Sequence, residues 1–257
     1  MVFRWIQATI SFLSIIPTTR HPTVIDIYSV AKVMYLFPIA GAVIGAIVGI
    51  FAFAISFYIH PVLLGVLVTA VLVIITGANH TDALADFADG LMAKGGKEGK
   101  RKAMRDPAVG SAGTVSVVLY VTGMIVALSS FHFGLKLLTS IVIAEAIAKY
   151  AMVLQAHIGL SAWDGFSSPF TASMKDKRKF FAATIIIILI LVLTGGGYAG
   201  IMSLSGSLLI GIILHYLSKR SFGGISGDVI GASNEITRLS SLIILSSATN
   251  DWSKQVL

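Results

Sequence analysis

Three aspartates at helical spacing carry the strongest chemical signal in this chain. They lie in the run His80-Thr81-Asp82-Ala83-Leu84-Ala85-Asp86-Phe87-Ala88-Asp89-Gly90-Leu91, separated by four and then three residues. On a helix turning about 100° per residue, the three carboxylates fall within roughly 60° of one another. Groups crowded this way repel unless a cation sits among them. Oxygen ligands alone suit a hard divalent ion, Mg²⁺ or Mn²⁺, and such ions serve phosphoryl and nucleotidyl transfer. The alternative is a solvated acidic stripe. Against it, Ala83, Leu84, Ala85, Phe87, Ala88 and Leu91 make the rest of the segment apolar and fit for packing. Carboxylates at the rim of a bilayer are also costly unless paired or bound.

Two further segments carry usable groups. In Lys100-Arg101-Lys102-Ala103-Met104-Arg105-Asp106-Pro107-Ala108-Val109-Gly110-Ser111-Ala112-Gly113, the proline and glycines mark a loop where backbone can approach a ligand. Asp106 is a candidate fourth metal oxygen. Arg105 is a candidate phosphate clamp, because a guanidinium matches phosphate oxygens. The lysines before it suit lipid headgroups or solvent. In Phe222-Gly223-Gly224-Ile225-Ser226-Gly227-Asp228-Val229-Ile230-Gly231-Ala232-Ser233-Asn234-Glu235, four glycines surround oxygen-bearing side chains. That composition suits a metal, or phosphate and ribose contacts through Gly224, Asp228 and Asn234. Glycine also serves helix packing in membranes. Lys149 stands four residues after Glu145 inside an apolar run. It is open to two readings, an internal ion pair or an ammonium reaching a substrate phosphate. His80 is a helix-entry residue, a substrate contact or a base.

The elements that must position these groups are membrane helices. The 257 residues are 56% hydrophobic and 12% charged, where soluble domains carry about 25% charged residues. The absence of cysteine excludes disulfides and thiolate metal sites. The net charge of +7 suits an anionic substrate or leaflet, and also the lysine and arginine bias of an inner-membrane protein. No removable signal peptide is expected, since no basic start leads into a small-residue cleavage site.

Apolar runs at residues 33–57, 61–79, 110–131, 135–159, 180–197 and 200–217 predict spans. Residues 3–16 are too short to cross and predict a re-entrant or interfacial helix. The stretch 239–248 is short and half-buried. The fold expected is all-α, a polytopic integral membrane protein with about six to seven transmembrane helices, forming one catalytic domain over residues 1–257. Gly41, Gly45 and Gly49 make a close-packing stripe that serves equally within the chain or between copies in a homo-oligomer. The basic residues fall in loops 17–32 (Arg20, Lys32), 80–108, 160–179 and 218–238 (Lys219, Arg220, Arg238), whereas the alternate turns near 58–60, 132–134 and 198–199 have none. This asymmetry predicts that all four charged loops face the cytoplasm, on one side of the cell membrane.

Taken together, the three motifs resemble the cobalamin synthase family, the adenosylcobinamide-GDP ribazoletransferases. That family's patterns are matched by His80-x-Asp82-x-x-x-Asp86-x-x-Asp89-Gly90, by Arg105-Asp106-x-x-x-Gly110, and by Gly224-x-x-Gly227-Asp228-x-x-Gly231-Ala232. Ile16-Pro17 and Phe37-Pro38 are also similar, and the match runs in order along nearly the whole chain. One departure is Ala83, where the family usually has glycine; a methyl there narrows the room beside the metal.

The resemblance implies a reaction. A ribose hydroxyl of α-ribazole, or of its 5′-phosphate, attacks adenosylcobinamide-GDP. The phosphate on the cobinamide arm is retained, GMP leaves, and adenosylcobalamin or its 5′-phosphate forms. Asp82, Asp86 and Asp89, with Asp106, would hold one or two Mg²⁺, and Arg105 and Lys149 would add positive charge. The partners implied are these two substrates and the bilayer, with no nucleic acid. Two rivals carry related features. A CDP-alcohol phosphotransferase would need an Asp-Gly-x-x-Ala-Arg opening, and Ala83-Leu84-Ala85-Asp86 supplies no such arginine. A carboxylate-relay transporter would place its charges near the bilayer midplane, often with inverted repeats, neither of which the sequence shows.

Overall fold

The structure, a computed structural model, describes residues 2–18, 26–131 and 134–249. Arg20 and the turn residues 132–133 lie outside the described residues. Among those described, every regular element is helical, with one isolated parallel bridge between Ser161 and Ile225.

The chain opens with α1 (Val2–Leu13) and α2 (Ile27–Lys32). Asp26 caps α2 by accepting the amides of Tyr28 and Ser29. A short 3-10 turn leads into α3 (Phe37–Ser56), which carries Pro38 in its first turn, where its missing N–H leaves no partner unpaired. Then comes α4 (Pro61–Ile75), followed by α5 (Asn79–Met92). Between them Gly77 and Ala78 take left-handed conformations, φ +66° and +58°, and α5 departs at 91° to α4. If α4 stands across the bilayer, α5 lies near its plane. The basic α6 (Lys97–Met104) precedes α7 (Ser111–Ser129) and α8 (Leu135–Ile158). The chain ends in α9 (Ser168–Met174), α10 (Lys177–Leu193), α11 (Gly197–Phe222) and α12 (Gly227–Thr249).

The chain is therefore an all-α membrane protein. Among the described residues, four segments are long and apolar enough to cross alone: α3 with its preceding turn, α7, α8 and α11. The pair α4–α5 would add a fifth only if its two arms, bent by 91°, were counted as one span. The sequence reading counts six to seven. The difference lies in α4 and α10, whose 15 and 17 residues measure about 23 and 26 Å against a hydrocarbon core of about 30 Å. With 12 residues, α1 is shorter still, and it buries Ile10 and Leu13 while leaving Phe3 exposed. Large apolar side chains such as Ile50, Val118, Ile188 and Ile212 point outward, as lipid contact requires.

The centre of the bundle is α8, buried from Ser140 through Ala156. The glycine stripe of α3 packs on it within the chain. A Cβ at Gly45 would lie 2.8 Å from the Cα of Val142, one at Gly49 would lie 3.0 Å from the Leu138 carbonyl oxygen, and one at Gly41 would strike the Glu145 carbonyl. The two backbones approach this closely because no side chain intervenes.

The third partner in the core is α12, and here the sequence reading needs correction. Residues 218–238 are not a polar loop, and 239–248 is not a separate short stretch. Residues 218–222 end α11, residues 223–226 form a short connection, and α12 runs continuously from Gly227 to Thr249. The polar residues that break the apolar pattern, Asn234, Glu235 and Arg238, are fully buried. Arg238 is therefore no loop charge. Its Nη1 donates to Glu235 Oε2 at 2.6 Å and to the Tyr120 hydroxyl at 2.9 Å, and its Nε donates to Glu145. Lys149 Nζ donates to Asn234 Oδ1 at 2.8 Å and pairs with Glu145 at 3.4 Å. Two acids and two bases thus neutralise each other between α8 and α12, with the Tyr120 hydroxyl of α7 accepting from Arg238. A charge inside a membrane protein is tolerated when it is paired this way.

Candidate active site

The chemistry-bearing segments converge beyond the C-terminal end of α8. After Gly159 the chain pairs with the segment entering α12: the Ile225 amide donates to the Leu160 carbonyl at 2.8 Å, and the Ala162 amide donates to the Ile225 carbonyl at 2.9 Å. Gly224 makes this pairing possible, since a Cβ there would lie 2.5 Å from the Leu160 carbonyl oxygen. The structure thus places Gly224 at a backbone junction, and its neighbours Ser226, Gly227 and Asp228 in the wall of a cavity.

That cavity has a volume of about 610 Å³. It begins at the loop 163–167 and reaches back to Met152 on α8. Its polar lining is Asn79, His80, Arg105, Asp164, Ser167, Ser226 and Asp228, and its apolar lining is Phe12, Ala83, Met152, Trp163, Phe166 and Ile230. Ala83, the departure from the family glycine, meets Gly231 where α5 crosses α12; a Cβ on Gly231 would lie 2.6 Å from the Ala83 methyl. The bulk added on one helix is accommodated by its absence on the other. The loop is braced by hydroxyls, with Ser161 Oγ donating to the Trp163 carbonyl at 2.7 Å and the Gly165 amide donating to Ser168 Oγ at 3.1 Å. His80 is buried, and its Nδ1 finds no hydrogen-bond partner among the described residues.

The carboxylates divide between two tasks. Asp82 is exposed and Asp86 half-buried on α5, while Asp228 stands in the first turn of α12. Partial burial, with the charges of Asp82, Asp228 and Asp89 nearby, pushes the Asp86 carboxyl up to about 6. Burial also raises that of Asp228, against the hydrogen bond it accepts from Ser226 Oγ at 3.2 Å; Asp82 adds to the rise and Arg105 opposes it. These shifts tie α5, α12 and Arg105 into one electrostatic neighbourhood.

Asp89 does something else. Its Oδ2 accepts the Gly110 amide at 2.7 Å and its Oδ1 the Gly113 amide at 2.8 Å, so both oxygens serve the start of α7. Asp106 is exposed and accepts the Ala108 amide at 3.0 Å. It lines a second, open groove of about 640 Å³ with Arg101, Lys102 and Arg105. Arg105 faces both cavities. Lys149 and Asn234 line neither; they lie in the buried ion network, so the ion-pair reading of Lys149 matches its geometry.

Among the described residues, no three His, Asp or Glu side chains converge closely enough to grip one ion. The donor set still fits Mg²⁺, which is usually held by one or two carboxylates plus substrate phosphates and water rather than by an all-protein cage. The Asp86 carboxyl is raised first by burial and then by the neighbouring charges of Asp82, Asp228 and Asp89, and a divalent cation would relieve that second, smaller cause.

Sequence reasoning missed the aromatic wall. Trp163 and Phe166 lie in a loop read only for its lysines and arginines, yet two aromatics around Asp164-Gly165 are an unusual turn composition and were the available signal.

Comparison with known proteins places the chain in context. The profile of the family described as cobalamin-5-phosphate synthase matches residues 6–246. An adenosylcobinamide-GDP ribazoletransferase of Methanococcoides burtonii is 31% identical over 252 residues, covering 95% of this chain and 92% of the relative. One from Archaeoglobus fulgidus is 31% identical over 243 residues, covering 95% and 97%. One from Pyrococcus furiosus is 36% identical over 171 residues, covering 66% and 72%. No solved structure matches the chain.

Proposed function

The chain belongs to the cobalamin-5-phosphate synthase family, whose work is assembly of the cobalamin nucleotide loop, and we propose that it joins α-ribazole, or its 5′-phosphate, to adenosylcobinamide-GDP. A ribose hydroxyl attacks the phosphorus borne by the cobinamide arm. The bond from that phosphorus to the GMP oxygen breaks, GMP leaves, and the hydroxyl proton is lost. The observation that carries this reading is the placement of Arg105 and Asp228 in one cavity wall beside the carboxylates of α5.

One or two of Asp82, Asp86 and Asp228, together with substrate phosphates and water, would hold Mg²⁺, which supplies charge neutralisation on the diphosphate and acidifies the attacking hydroxyl. Asp89 fixes the loop before α7 and so the position of Arg105. Arg105 offers its guanidinium to the phosphoryl oxygens as charge builds on them. The half-enclosed cavity holds the acceptor hydroxyl near the electrophile and lowers the entropic cost of the encounter. Lys149 acts from below, by holding Asn234 and thus the rotation of α12 that presents Asp228. The lysines and arginines gathered at this end of the bundle support the reading that it faces the cytoplasm.

The test is GMP release by the full chain in vesicles. Release should require adenosylcobinamide-GDP, α-ribazole and Mg²⁺ together. Release without α-ribazole would show a hydrolase, and no release with all three present would remove the reading.

A further inference from the structure

We propose that the cavity between α5, α8 and α12 is the seat of the acceptor's aromatic base, and that the guanosine end of the donor lies outside it, along the neighbouring basic groove. This assignment rests on the proposed ribazole transfer and adds which substrate occupies which hollow.

The cavity has a flat apolar side. The rings of Phe12 and Phe166 stack with centroids 6.0 Å apart at 12°, and Phe170 closes behind them at 5.6 Å from each. Trp163 stands in the same wall, with the Arg101 guanidinium 4.6 Å from its ring centroid. Aromatic walls of this kind hold heterocycles by stacking, without reading a base edge. The fused base of ribazole, once bonded to its ribose, keeps a single ring nitrogen to satisfy. His80 lines this cavity, its Nδ1 is buried without a hydrogen-bond partner among the described residues, and its imidazole suits that single need.

Charge sets the direction. Arg105 is the one lysine or arginine lining this cavity among the described residues, and it also lines the groove shared with Arg101 and Lys102. A diphosphate lying on Arg105 therefore has its cationic continuation on the groove side. The acceptor, which carries at most one phosphate against the donor's diphosphate, is left for the aromatic side, its ribose toward Arg105 and Asp228. At about 610 Å³ the cavity suits a nucleoside-sized ligand and leaves the corrinoid macrocycle outside.

The experiment measures GMP release by the full chain in vesicles while each substrate is varied, for wild type, Phe166→Ala, Trp163→Ala and Phe166→Tyr. Phe166 is 56% exposed, so its truncation leaves no core void. The KM for α-ribazole should rise about tenfold in the two alanine variants, with the KM for adenosylcobinamide-GDP held within about twofold in Phe166→Ala, which leaves the stacking of Arg101 on Trp163 in place. Phe166→Tyr, which keeps the ring, should recover most of the lost affinity. A rise in the adenosylcobinamide-GDP KM instead, or no change in either, overturns the assignment. If wild type shows no turnover, the ribazole-transfer reading falls separately, and equilibrium dialysis decides the cavity. Binding of α-ribazole by wild type and its loss in Phe166→Ala would uphold it; equal or absent binding would overturn it.

Discussion

The carboxylate of Asp89 accepts the backbone amide of Gly110 at 2.7 Å, joining residues 21 positions apart in the chain. With the second bond to Gly113, it docks α5 against the start of α7. Both glycines are needed for this approach. A Cβ on Gly110 would lie 2.5 Å from the carboxylate, and one on Gly113 would collide with it.

Asp89→Asn should therefore act on stability as well as rate. The amide can accept one backbone N–H and cannot accept both through equivalent oxygens, and hydrogen bonds to charged groups contribute about 1.5–3 kcal/mol. A thermal melt of the protein in detergent should show a lower Tm for Asp89→Asn and for Gly113→Ala. Asp82→Asn, on the exposed side of the same helix, should leave Tm unchanged or higher, because it removes repulsion from Asp86. Equal losses for Asp82→Asn and Asp89→Asn would contradict this division of labour.

The raised carboxyl of Asp86 makes a pH prediction with a definite sign. Its value is about 6 in the folded chain against the ordinary 3.8, so between these values the folded state binds the proton more tightly. Without divalent ions, stability from this group is greatest below about pH 4 and is lost as pH rises through about 6. Added Mg²⁺ should reverse the trend by stabilising the ionised form. Melting curves at pH 5 and pH 7.5, with and without Mg²⁺, should show a Mg²⁺-induced rise in Tm at pH 7.5 that shrinks at pH 5. Asp86→Asn should flatten the difference.

Much of the site is legible in the sequence because local spacing survives folding. Asp82 and Asp86 stay on one helix face whatever packs around them, and Arg105 keeps its place beside a proline turn. The role of Asp89 is not legible, because its partners are backbone amides whose position depends on how α6 loops back. The membrane class follows from composition, but α12 does not. Its buried Asn234, Glu235 and Arg238 imitate a loop until Glu145 and Lys149 from α8 are set against them. The glycine stripe of α3 announces close packing in the sequence, and only tertiary structure names α8 as the partner.

The buried network predicts a coupled pair. Glu145→Gln alone leaves Lys149 and Arg238 with only Glu235 to balance them, and breaking a buried pair costs about 3–5 kcal/mol. The single variant should insert poorly or melt far earlier. Adding Lys149→Met to it removes the unbalanced cation and should recover part of that loss. A double-mutant cycle on Tm reads the coupling; simple additivity would mean that the two side chains do not depend on each other.

The seam between α3 and α8 predicts a packing penalty. Gly45→Ala places a methyl 2.8 Å from the Val142 Cα, and overpacking of this kind costs about 1–3 kcal/mol. Tm should fall, while the KM values of any folded fraction stay near wild type, because the seam lies away from the cavity. Chemical cross-linking that showed α3 of one copy against α8 of another would displace this reading.

The central claim is that the carboxylates of α5 and α12 hold the divalent ion on which phosphoryl transfer depends. The direct measurement is the rate of GMP release from adenosylcobinamide-GDP and α-ribazole across a Mg²⁺ titration, for wild type, Asp82→Asn and Asp228→Asn. Both variants should lose about 10²-fold or more in kcat and need more Mg²⁺ for half-maximal rate. Wild-type rates in both, with an unshifted Mg²⁺ requirement, would contradict the account.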